Sequence, residues 1–116
     1  MSGANQTPCR FAPPASAGDY RCGAVFSLTL EHPWGTLVHH GSAGFAPGMY
    51  EGMHADLILL GISGRGDTQA YLSQVTDRIR PGTIIPIHFD DFFAPLADGM
   101  RIMRTARLGE FVSSAE

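Results

Sequence analysis

The stretch Asp56-Leu57-Ile58-Leu59-Leu60-Gly61-Ile62 constrains the fold more than any other, because it has no polar face to give to water. It is far too short to span a bilayer. A run of this kind suits a strand buried on both faces, inside a sheet covered by helices. The flanking sequence supplies the rest of such a sheet. Before it, Val25, Ser27 and Thr29 alternate with Phe26, Leu28 and Leu30, which predicts a strand over residues 23–30 that buries the second set. Glu31 to Gly35 provides turn residues, with Trp34 as a turn aromatic, and residues 36–40 read as a second strand, so the two form a hairpin.

After the apolar run comes a connector, Ser63 to Gly66, and then Asp67 or Thr68 as the cap of a helix over about residues 69–80. Tyr71, Leu72, Val75 and Ile79 make one apolar stripe on it. Asp67 at its start and Arg78 and Arg80 at its end complement the helix dipole, and Pro81-Gly82 stops it. Residues 83–87 predict a short strand that Pro86 confines to an edge or a strand terminus. Residues 100–103 are expected to form a further short strand, and residues 106–112 to begin a last helix. Met49, Met53, Met100 and Met103 read as core or gap-filling residues. Strand, strand, strand, helix, strand describes half of a layered α/β domain better than a closed small fold.

Composition narrows the function classes. Residues 1–19, rich in Ala, Pro, Ser and Gly, read as an irregular leader, and residues 20–116 as the domain. The chain is 44% hydrophobic and carries a formal charge of -3, with Arg101, Arg104 and Arg107 as its one local basic cluster. No aromatic residues interleave with that cluster, so nucleic acid is not an expected partner. Cys9 and Cys22 are not spaced as a Cys-X-X-Cys pair and make no disulfide framework. No basic segment followed by an apolar run opens the chain and no stretch is long enough to cross a membrane, so a cytoplasmic location without membrane association is expected.

Chemistry in α/β folds collects on loops at strand ends. Two segments stand there: His40-Gly41-Ser42-Ala43-Gly44 and His88-Phe89-Asp90-Asp91. A strand-end His binds metal through one ring nitrogen when an acceptor such as Asp90 or Asp91 fixes the other, whereas the same carboxylates equally suit a turn that satisfies its own backbone.

The run from Tyr20 to Leu96 resembles the C-terminal half of the metallo-β-lactamase-fold hydrolases. The features that carry the likeness are a hairpin, Gly-Ser-Ala-Gly-Phe at 41–45, Ala-Asp-Leu-Ile-Leu-Leu-Gly at 55–61, a helix ending in Arg-Pro at 80–81, and Pro-Ile-His-Phe-Asp-Asp-Phe at 86–92. By that resemblance the fold is half of an αββα sandwich, and His88 is a ligand of a divalent metal, zinc foremost. Asp90 and Asp91 support His88, and Ser42 and His40 face the same site. The reaction implied is hydrolysis of a small molecule by metal-activated water.

Two departures qualify this. The family's His-X-His-X-Asp-His motif has no counterpart here, and Ser42 occupies the position of a metal-bridging Asp. Catalytic zinc takes about three protein ligands, so the isolated chain is expected to be inactive. Two other readings stand beside it. A non-catalytic half-domain would act as a pairing or binding module, self-associating through exposed sheet edges. A serine hydrolase would use Ser42, Asp56 or Asp67, and His88 in that order, although His40 stands where the nucleophile elbow needs Gly.

Overall fold

The structure, a computed structural model, describes Ser16 and residues 24–116. The expected leader, apart from Ser16, lies outside the described residues. Among the described residues the chain is α/β. Four strands, β1 (Leu28–His32), β2 (Gly35–His40), β3 (Leu57–Gly61) and β4 (Thr83–Ile87), form one sheet in the order β1-β2-β3-β4. Helix α1 (Thr68–Ile79) connects β3 to β4, and α2 (Leu108–Ala115) follows two short 3-10 turns, Leu96–Asp98 and Arg104–Ala106. The β1–β2 hairpin is antiparallel, whereas β2, β3 and β4 run parallel.

The register separates the sheet into two faces. Val38, Ile58 and Leu60 stand on one face and are fully buried with Tyr71, Leu72, Val75 and Ile79 of α1. The stripe read at helical spacing is therefore the half of the core that α1 contributes. Each such aliphatic side chain, moved from water to this interior, contributes about 1.5–3 kcal/mol before entropy is charged against it. Asp67 caps α1 by accepting a hydrogen bond from the Ala70 amide at 2.7 Å, and Arg80, with φ 47°, closes its C-terminus in the left-handed region.

The opposite face carries Leu28, Leu30, Leu37, Leu57, Leu59 and Ile85. Here the structure corrects the sequence reading. Leu28 and Leu30, expected to be buried, are 58% and 60% exposed, because no second layer among the described residues packs on them. β3 likewise buries one face fully and the other by halves, not both. Trp34, the turn aromatic, is 94% exposed, with an edge-on contact to His32 as its ring partner.

The C-terminal segment differs from expectation too. Residues 100–103 make no strand; Ile102 forms a single bridge with Asp90, and Met100 is exposed. The last helix begins two residues later than read. Arg65, in the loop taken for a plain connector, ties this segment to the sheet. Its guanidinium donates to the carbonyls of Ile62 (3.0 Å), Ala106 and Arg107 (3.1 Å) and to the Thr68 hydroxyl (2.8 Å), and it lies over the ring of Phe111. A guanidinium carries five N–H donors in a fixed fork and so satisfies several carbonyls at once, which makes the loop a structural clamp.

Candidate functional site

Because β2, β3 and β4 are parallel, their C-terminal ends His40, Gly61 and Ile87 share one edge of the sheet, the edge where α/β folds place their ligands. Gly61 lets β2 and β3 meet closely there: a Cβ on it would lie 2.5 Å from the Gly41 carbonyl oxygen. Its own carbonyl accepts a hydrogen bond from the Tyr71 hydroxyl at 2.7 Å. Burial pushes the Tyr71 phenol well above its ordinary pKa, so it stays a donor.

His40 is the centre of the arrangement. Its side chain is 2% exposed, stacked on Phe45 with ring centroids 4.5 Å apart. Nδ1 lies 2.7 Å from the Tyr50 hydroxyl and 3.0 Å from the Ser27 hydroxyl. Nε2 is buried and has no hydrogen-bond partner among the described residues. Burial, the largest influence, lowers the His40 pKa; the Gly44 backbone acts the other way and His39 adds to the lowering. The ring is therefore held neutral. Burial likewise raises the pKa of Tyr50, against a smaller opposing effect of its hydrogen bond with Ser27.

The loop beyond His40 is shaped by α1. Arg78 lies over the Phe45 ring, and its Nη1 donates to the carbonyls of Ala46 (3.1 Å) and Met49 (3.0 Å). Tyr50 accepts a φ of 63°, a conformation that costs a non-Gly residue of order 1 kcal/mol and that aims its hydroxyl at His40. Beside this cluster opens a cleft of about 420 Å³, lined by the apolar side chains of Val25, Phe26, Pro47 and Met49 and by the polar groups of Ser27, His40 and Ser42.

His88 stands elsewhere. It follows β4 with φ 58°, is exposed, and stacks at 6.3 Å on exposed Phe92. Neither neighbouring carboxylate hydrogen-bonds its ring among the described residues. Asp91 accepts from the Phe93 amide at 3.1 Å, which is the turn-capping role, and Asp90 is exposed and joined to Ile102 by backbone bridging. The structure thus brings His40 and Ser42 to one cleft and leaves His88, Asp90 and Asp91 in a separate turn. Among the described residues no group of three or more His, Cys, Asp or Glu is arranged to hold a metal ion. The donor set present does not fit a catalytic zinc, which takes about three protein ligands.

The serine-hydrolase order fails on placement. Asp56 precedes β3 and accepts from the Thr36 amide at 2.7 Å, at the end of β2 opposite Ser42. Asp67 is committed to capping α1. Ser27, Phe45 and Tyr50 were not singled out from the sequence. Ser27 sits on what reads as the plain polar side of a strand, and no spacing rule links it to a histidine thirteen residues on. Comparison with known protein families, with curated proteins and with solved structures found no match.

Proposed function

We propose that residues 20–116 are one half of a metal-dependent hydrolase domain of metallo-β-lactamase type, catalytically incomplete by themselves. The observation that carries this reading is the two-faced sheet. One face is closed by α1, while the other offers Leu28, Leu30, Leu37, Leu57, Leu59 and Ile85 to a layer that the described residues do not supply. A sheet with an apolar face is stable only against a second layer, and sheet on sheet at about 10 Å is the common solution. The parallel strand ends put His88 on the edge where ligands gather.

In this reading His88 is the one metal ligand from these residues and the remaining ligands come with the second sheet. Zinc, when held there, would supply an activated water. No step is assigned to the residues described, since their donor set does not complete the centre. The test is to sequence the DNA upstream of the Met1 codon and express the whole open frame. A frame running into a His-X-His-X-Asp-His segment, with stoichiometric zinc that His88→Ala weakens, supports the proposal. Unchanged zinc affinity in that variant removes His88 from the site.

A second reading has its own support: all five residues of β1 are exposed, and no strand among the described residues pairs with its outer edge, which lies next to an apolar face. A non-catalytic half-domain would use that surface to pair with another copy. Sedimentation distinguishes the two, since pairing predicts a concentration-dependent dimer of the 116-residue chain.

A further inference from the structure

The cleft beside His40 is separate from the turn that carries His88, and no metal is needed to give it a function. Its volume, about 420 Å³, falls within the range usual for small-molecule sites, roughly 300–1,000 Å³. Its lining combines the apolar side chains of Val25, Phe26, Pro47 and Met49 with the polar groups of Ser27, His40 and Ser42, the mixture of a pocket that orients a ligand with few hydrogen bonds.

The electrical character of the lining is the discriminating feature. Among the described residues, no Asp, Glu, Lys or Arg lines it. Arg78, whose Nη1 is already engaged by the carbonyls of Ala46 and Met49, is a cation held to this loop. A carboxylate or phosphate entering the cleft would lose water and find no counter-charge among the described lining residues, which is costly. Hydroxyl donors are present instead. Ser27 is held at 3.0 Å from His40, and Ser42, exposed beside the cleft, makes no hydrogen bond among the described residues.

We propose that this cleft is a binding site for a compact, uncharged, apolar molecule bearing one carbonyl group, such as a short-chain acyl amide, whose oxygen accepts from the Ser27 and Ser42 hydroxyls. The ligand's alkyl chain lies along Val25, Phe26 and Met49, and the polar end meets the serines. The site goes beyond the hydrolase reading and does not depend on it, because binding is expected of the metal-free chain.

The test is a titration of the metal-free 116-residue chain with hexanamide, hexanoate and phenyl phosphate, followed by NMR of backbone amides and of the His40 imidazole. Hexanamide should give saturable shifts at residues 25–27 and 40–49, and the two anions should bind at least about tenfold more weakly. Gly44→Leu is the filling variant, since a Cβ there meets nothing within 4 Å and the backbone is not in the left-handed region. It should keep a dispersed spectrum and lose at least about tenfold in hexanamide affinity. Ser27→Ala and Ser42→Ala together should weaken binding while leaving the alkyl contacts. No saturable shift up to the solubility limit of the amide would overturn the proposal. So would equal or tighter binding of the anions, or an affinity unchanged in a folded Gly44→Leu chain. Failure here leaves the hydrolase reading standing, and failure of zinc binding through His88 leaves this one standing.

Discussion

His40 ends β2 and His88 directly follows β4, two strands parallel to β3, at the same edge of the sheet, and their surroundings are opposite. His40 is enclosed by Phe45, Tyr50 and Ser27 and is held neutral by burial. His88 is exposed, with the ring of Phe92 as its neighbour. The loop that follows β2 folds back over its histidine because α1 grips it through Arg78. The turn that follows β4 spends its carboxylates on itself, as Asp91 does with the Phe93 amide. Strand-end position thus offers a side chain to the site edge, but the loop after it decides whether that side chain is wired into the structure or left to a ligand.

The comparison breaks most sharply on His40→Ala. Removal of a buried, stacked ring with its Nδ1 hydrogen bonds should destabilise the chain by about 3 kcal/mol, read as a lower urea midpoint at unchanged slope. A loss no larger than that of an exposed residue would mean that the cluster is not formed in solution. Tyr50→Phe tests the wiring alone. It deletes the hydroxyl at 2.7 Å from Nδ1 and should cost about 1 kcal/mol, with Ser27 remaining as partner.

Acidity sharpens the same contrast. The folded pKa of His40 lies below its ordinary value of 6.5, so the unfolded chain binds the proton more readily. Stability from this group is therefore fully present above the ordinary value and is lost as pH falls from there through the lowered folded pKa. Urea midpoints measured on either side of that window should drop on acidification, and His40→Phe should flatten the dependence. A profile that His40→Phe leaves unchanged would place the titrating group elsewhere. The smallest effect belongs to His88→Ala, which should change stability by no more than about 0.5 kcal/mol, since the side chain is exposed. A larger loss would show that His88 is as embedded as His40.

Much of the architecture was legible because it rests on local pattern. The cap at Asp67, the stripe of Tyr71, Leu72, Val75 and Ile79, and the edge position of β4 through Pro86 all follow from spacing or from one residue's chemistry. The site was legible only in part. His40 and Ser42 could be placed at a strand end, but the partners Ser27 and Tyr50 arrive from 13 residues before and 10 residues after His40, through a hairpin and a loop that period counting does not join.

The sequence by itself determined the central elements β2, β3, α1 and β4, because alternation at two and at 3.6 is written into neighbouring residues, whereas β1 lies later than its alternation suggested and residues 100–103 form no strand. It also supplied the apolar stripe of α1, though not which face of the sheet that stripe would close. What only the tertiary structure decided is burial on the other side. Leu28 and Leu60 are equally apolar, yet the first is mostly exposed and the second fully buried. Hydrophobicity belongs to a side chain, but burial belongs to the layer that reaches it.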